Sequence, residues 1–160
     1  MVMTDRFVNG NTSNDEPIVG ASQGADWQGG DFAGVTQMIE SGYFEELGVG
    51  ALWLSPFNTA AEGTGKAADG EHDVSAFHGY WPTEPRGIEP KLGTADELHA
   101  LIEAAHDQGI RVMMDFVVNH VHEEHTYYEE NPEWFNAGCI CGSANCDWTV
   151  HRLDCQFTSY

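Results

Sequence analysis

At 160 residues, with 41% hydrophobic and 11% aromatic side chains, the chain is long enough for one domain with a real core and too apolar to be disordered. Acidic residues outnumber basic ones 26 to 6, and the formal charge of −20 argues against nucleic acid and anionic membranes as partners. That balance suits cation binding, a high-salt surface or simply an acidic soluble protein, and no apolar stretch reaches transmembrane length.

The start, Met1-Val2-Met3-Thr4-Asp5-Arg6, carries charge too early for a signal peptide and reads as a strand over residues 1–8 that breaks at Asn9-Gly10. The chain is therefore expected to begin inside a domain. Residues 9–31 are rich in Gly, Asn, Asp and Ser and read as a long loop. Val35, Met38, Ile39 and Tyr43 recur at helical spacing, which predicts a helix over 32–47 capped by Asp31 and ended by Gly48. Val49-Gly50-Ala51-Leu52-Trp53-Leu54 is a second strand closed by Ser55-Pro56, and residues 57–76 read as loop. The aromatic cluster Phe77-His78-Gly79-Tyr80-Trp81-Pro82 follows. Thr94 or Asp96 caps a second helix with Leu98, Leu101, Ile102 and Ala105 as its apolar stripe, ending at Gly109.

The run Ile110 to His120 is a third strand. Five of the six side chains from Val112 to Val117 are apolar, which predicts a parallel strand covered on both faces. Asp115 is the charge inside it, and a buried carboxylate is costly unless paired or used. Asn119 and His120 emerge at the strand's C-terminal end, where α/β folds place their sites. Short turns after helices and long loops after strands point to a (β/α)8 TIM barrel, an α/β fold elaborated on one rim. Such a barrel takes about 250 residues, so three βα units imply an incomplete one: barrel over 1–120 and a cysteine-containing excursion after the third strand over 121–160.

The motifs together resemble the α-amylase family, glycoside hydrolase family 13. Asp115-Phe116-Val117-Val118-Asn119-His120 resembles its first signature region. Thr4-Asp5-Arg6-Phe7, Gly29-Gly30-Asp31, Leu52-Trp53-Leu54-Ser55-Pro56 and His78-Gly79-Tyr80-Trp81 agree in order and spacing. The chain is most similar to the branch holding cyclodextrin glucanotransferases, cyclomaltodextrinases and bacterial α-amylases. The resemblance implies a retaining enzyme acting on α-glucans such as starch, maltooligosaccharides or cyclodextrins, by hydrolysis or transglycosylation. The family's nucleophilic Asp, acid/base Glu and third Asp have no counterpart before Tyr160, so no catalytic residue is assigned and this chain alone is expected to be inactive. The alternative is a non-catalytic relative that keeps sugar or calcium positions.

The resemblance implies that His78, Tyr80 and His120 contact the sugar unit just before the scissile bond. An aromatic platform suits the apolar face of a pyranose, and imidazole can donate and accept toward hydroxyls; packing of a loop is the plainer alternative. Asp115 would order the site from beneath, and without the family's partner arginine it is expected to be uncompensated or solvated. The loop Asn9-Gly10-Asn11-Thr12-Ser13-Asn14-Asp15 offers closely spaced oxygens, as a hard cation needs. It resembles the glucanotransferase calcium loop, with Asn9, Asn11, Asn14, Asp15, the Gly29 carbonyl and Asp31 as the implied ligands. Gly24-Ala25-Asp26-Trp27-Gln28 competes for the last pair, and a self-capping turn is the alternative to any metal. Asn119 is implied to anchor a second calcium.

Cys139, Cys141, Cys146 and Cys155 form a C-x-C-x4-C-x8-C cluster that allows three disulfide connectivities, with a structural zinc site as the rival. Carboxylates among His122-Glu123-Glu124-His125 and Glu129-Glu130 read as a solvated face. The substrate class and the cysteines imply a secreted or periplasmic protein.

Overall fold

A computed structural model describes residues 1–67 and 69–135. After a 3-10 turn at Thr4–Arg6, the elements are α1 (Phe32–Glu40), α2 (Tyr43–Glu46), β1 (Ala51–Leu54), β2 (Thr59–Ala60), β3 (Thr64–Lys66), β4 (Asp73–Ser75), β5 (Pro82–Glu84), α3 (Ala95–Asp107), β6 (Arg111–Met114) and α4 (Thr126–Glu130). β1 and β6 pair in parallel, Ala51 opposite Arg111 through Leu54 opposite Met114. Val2 bridges Leu54 on the other side of β1, also in parallel. The first, second and third extended segments thus lie side by side in chain order.

The helices cover one face of this sheet. Asp31 caps α1 by accepting the Gly34 N–H. Thr94 caps α3 in a reciprocal capping box with Glu97. α1 and α3 pack together, burying Phe32, Val35 and Ile39 with Leu98, Leu101 and Ala105 in one core with Leu52 and Leu54. Each Val, Leu, Ile or Phe among them is worth roughly 1.5–3 kcal/mol of burial, which is where the stability of this layer resides.

Four sequence expectations change. Residues 1–8 are not a strand beyond the Val2 bridge, because the chain curls at Thr4–Arg6 to bring the buried Asp5 carboxylate onto the N–H groups of Gln28 and Gly29. The single helix over 32–47 is two, since Gly42 at φ 82 takes a left-handed conformation between α1 and α2. Residues 57–76 contain ordered pairs, β2 with β5 and the β3–β4 hairpin, built from short runs of small and polar residues with no apolar alternation to betray them. Finally, the third strand is not covered on both faces: Met113 is 48% exposed, Phe116 58% and Val118 73%. The apolar run, interrupted by Asp115, thus keeps part of its surface open among the described residues.

Candidate functional site

The parallel ladder continues past β6 through the Asp115 N–H to the Leu54 carbonyl, 2.9 Å, which fixes the Asp115 carboxylate at the strand's C-terminal end. The Phe77–Trp81 segment arrives at the same place because Gly79, at φ 80, lies so close to Pro56 that an added Cβ would stand 2.1 Å from the Pro56 carbonyl oxygen. Tyr80 Oη donates to Asp115 Oδ2 at 2.5 Å, across 35 positions of sequence. Asp115 therefore accepts a phenol hydrogen bond in place of an arginine's, which satisfies the carboxylate without supplying a counter-charge. This bond pushes the Tyr80 hydroxyl up from its ordinary value, since the phenolate would face a carboxylate.

The two histidines are held in defined tautomers. His120 Nε2 lies 2.8 Å from the Tyr80 carbonyl, which can only accept, so Nε2 carries the proton and Nδ1 is the acceptor of the neutral ring. His78 is the reverse: Nδ1 accepts the Tyr80 N–H at 2.9 Å and Nε2 is left as donor. Its ring stacks on Tyr80 at 5.9 Å and meets Trp81 edge-on at 4.8 Å. Burial first, then repulsion from Arg6 and from His120 when that ring is protonated, pulls the His78 imidazole down to about 4. The structure thus brings His78, Tyr80 and His120 together, with Asp115 bonded to the Tyr80 hydroxyl. β6 ends at Met114, short of the strand expected through His120, so Asn119 and His120 lie exposed in the irregular segment beyond it.

Because the unfolded value is near 6.5 and the folded one near 4, the unfolded chain binds the extra proton between those limits. His78 therefore costs nothing above about pH 6.5, and stability falls as pH drops toward 4, with a slope approaching about 1.4 kcal/mol per pH unit. An NMR titration of His78 is expected to show a midpoint near 4; a midpoint at or above 6.5 would remove this account.

The loop after the first extended segment closes around Asp31, which is fully buried. Its Oδ1 accepts the N–H groups of Gly10 (3.0 Å) and Gly34 (2.7 Å), and its Oδ2 that of Asn11 (2.8 Å). Asn9 Nδ2 donates to both oxygens of Asp15 at 2.9 and 2.8 Å. Gly29 sits against this pair so closely that a Cβ would stand 2.4 Å from Asn9 Nδ2 and 2.5 Å from Asp15 Oδ1. Asn14 Oδ1 is buried without a hydrogen-bond partner, while its Nδ2 reaches Asp31 Oδ2 at only 3.5 Å. Asn9, Asn11, Asn14, Asp15, Gly29 and Asp31 are therefore brought together. Two carboxylates and the orphaned amide oxygen of Asn14 are donors that suit a hard divalent cation, while Asn9 presents its Nδ2 to Asp15.

The competing pair is used otherwise. Asp26 Oδ2 accepts the Ile18 N–H and its carbonyl accepts from Arg6, while its Oδ1 is buried without a hydrogen-bond partner. His125 departs from the solvated face drawn for its neighbours, since it is buried and accepts the Tyr127 N–H at the start of α4. Among the described residues no three His, Cys, Asp or Glu side chains cluster as a metal site. Cys139, Cys141, Cys146 and Cys155, and with them the disulfide and zinc alternatives, lie outside the described residues.

Sequence reasoning missed Arg6 and Phe77. The guanidinium of Arg6 lies over the Phe77 ring, Cζ 3.6 Å from its centroid, next to His78. A basic residue beside a buried acid, in a chain with only six Lys and Arg, was the available signal.

The sequence model of the alpha amylase catalytic domain matches residues 1–152. A cyclomaltodextrin glucanotransferase of Geobacillus stearothermophilus is 32% identical over 94% of this chain and 22% of its own. The periplasmic alpha-amylase of Escherichia coli (strain K12) is 36% identical over 74% of this chain and 18% of its own. The crystal structure of the gamma-cyclodextrin glucanotransferase of alkalophilic Bacillus clarkii superposes with a TM-score of 0.71 at 30% identity, covering 92% of this chain and 24% of that one. The chain spans about a fifth of the length of the curated relatives it matches.

Proposed function

The chain belongs to the α-amylase family, and from that premise we propose that it is the N-terminal portion of a retaining α-glucan-active hydrolase or transglycosylase. Residues 1–120 would supply the opening units of a (β/α)8 barrel and residues 121–135 the start of an excursion from its rim, the rest of the expected 121–160 segment lying outside the described residues. The observation that carries the reading is the joining of Tyr80 to Asp115, with both histidines fixed around Tyr80. The Tyr80 ring offers a platform to the C–H face of a glucose unit, His78 Nε2 a donor and His120 Nδ1 an acceptor to its hydroxyls. Asp115 orients the platform and takes no part in bond breaking. Cleavage through a glycosyl-enzyme intermediate would need a carboxylate nucleophile and a carboxylic acid, and none of the residues described in this site is assigned either role.

Asn9, Asn11, Asn14, Asp15, Gly29 and Asp31 would hold a calcium ion. Once the amide of Asn14 turns its oxygen inward, Asp31 Oδ2 keeps a lone pair to offer. When bound, the ion would supply positive charge to a loop that carries Asp15 and Asp31. Asn119 is the proposed anchor of a second calcium. A periplasmic or secreted setting accords with the periplasmic relative.

In the intact protein, Tyr80→Ala is expected to lower kcat/KM on maltooligosaccharides about 30- to 100-fold, equivalent to roughly 2–3 kcal/mol of lost apolar contact. Tyr80→Phe keeps the platform and is expected to cost less, about tenfold. Unchanged kcat/KM in Tyr80→Ala would sink the assignment. Binding without turnover by the unaltered protein would favour a non-catalytic relative.

A further inference from the structure

We infer that Arg6 is a positioning residue that couples the calcium loop to the sugar platform, so that each ligand tightens the binding of the other. The inference rests on the two sites proposed above and adds a linkage between them.

The connection runs through contacts of known length. Asp5 Oδ1 accepts the N–H groups of Gln28 at 2.9 Å and Gly29 at 3.2 Å, so Asp5 grips the backbone that presents the Gly29 carbonyl. Asp5 Oδ2 pairs with Arg6 Nη1 at 2.9 Å, and that same nitrogen donates to the Asp26 carbonyl at 2.7 Å. The flat of the guanidinium then covers Phe77. Phe77 meets His78 edge-on at 5.4 Å, and His78 stacks on Tyr80. One cation touches the calcium loop's support on one side and the first ring of the platform on the other.

A guanidinium is suited to this because it bonds in its plane and stacks on its face at the same time. The carboxyl it serves is costly to keep charged. Order imposed on residues 28–31 by a cation therefore holds Asp5, Arg6 and Phe77 in place, and the platform needs less ordering when sugar arrives. Order imposed from the sugar side acts in reverse. That is positive cooperativity without a change of fold.

The test is calorimetric titration of the intact protein with calcium and with acarbose, a maltooligosaccharide mimic that resists hydrolysis, each in the absence and presence of the other. A reciprocal tightening of about fivefold or more is expected. Phe77→Leu leaves the Asp5–Arg6 pair intact, so calcium affinity without sugar should stay within about twofold while the linkage factor falls to about one. Phe77→Tyr, which restores a ring, should restore the linkage. Binding of both ligands with no linkage in the unaltered protein, or linkage that survives in Phe77→Leu, overturns the inference and leaves the two sites standing. Failure of calcium or acarbose to bind at all overturns the sites and the inference with them.

Discussion

Replacing Asp31 by Ala is expected to lower stability by about 4 kcal/mol even in chelator, and to remove calcium binding as well. The carboxylate is fully buried and accepts three backbone N–H groups, from Gly10, Asn11 and Gly34. The Gly34 bond is a helix cap, worth about 1 kcal/mol. The other two are bonds to a charged acceptor, worth about 1.5–3 kcal/mol each, and their donors would be left without it. Asp15→Asn gives the contrast. Asp15 is exposed and its only described hydrogen bonds come from Asn9, so its loss should matter in calcium and hardly at all in chelator. Thermal melts of both variants, with calcium and with EGTA, separate the two contributions. An Asp31→Ala melt in EGTA that matches the unaltered protein would show that the loop is not tethered this way.

Gly34→Ala is expected to destabilise by about 3 kcal/mol or more, against the ordinary preference for Ala over Gly inside a helix of about 1 kcal/mol. Gly34 lies within α1, and a Cβ there would stand 1.9 Å from the Val8 carbonyl oxygen. The approach is mutual, since a Cβ on Gly10 would stand 2.3 Å from the Gly34 nitrogen. Backbone meets backbone at both positions, so no flexible side chain can give way, and the Asp31 bonds that cross the same junction would be pulled apart. Gly63 is the control: nothing lies within 4 Å of its added Cβ and its φ is ordinary. Gly63→Ala should be neutral or slightly stabilising. Chemical denaturation of the two variants side by side decides the matter, and a Gly34→Ala protein as stable as the original would refute the close packing.

What could be read from sequence were features whose cause is local. Asp31 and Thr94 cap the helices they precede because a short acceptor before an apolar periodic stretch has one cheap use. Gly48 and Gly109 end their segments at φ 70, where a left-handed residue is needed. Asp115 and His120, both carried by the segment just beyond β6, meet the same residue, the first through the Tyr80 hydroxyl and the second through its carbonyl. What stayed hidden depends on distant partners. The curl at Thr4–Arg6 is driven by the Gln28 and Gly29 N–H groups more than twenty positions away. The Tyr80–Asp115 bond spans 35 positions and leaves no periodicity. His125 sits among carboxylates that are solvated, and only the path of the chain beyond β6 buries it. The apolar run of the third strand was read correctly as apolar and wrongly as covered, because hydrophobicity reports that a face is to be buried and not by what.

The uncovered sheet face has a consequence for how copies of this chain meet. Trp53, Met113 and Phe116 lie exposed on or just beyond a parallel pair, the kind of surface that invites another strand or another copy to add to it. A net charge of −20 opposes that encounter. Repulsion between like-charged molecules reaches across about 10 Å at 0.1 M salt and only about 3 Å at 1 M, whereas contact between apolar faces does not weaken with salt. Colloidal behaviour is thus set by a contest between one sticky face and a charged envelope, and ionic strength decides which is felt first.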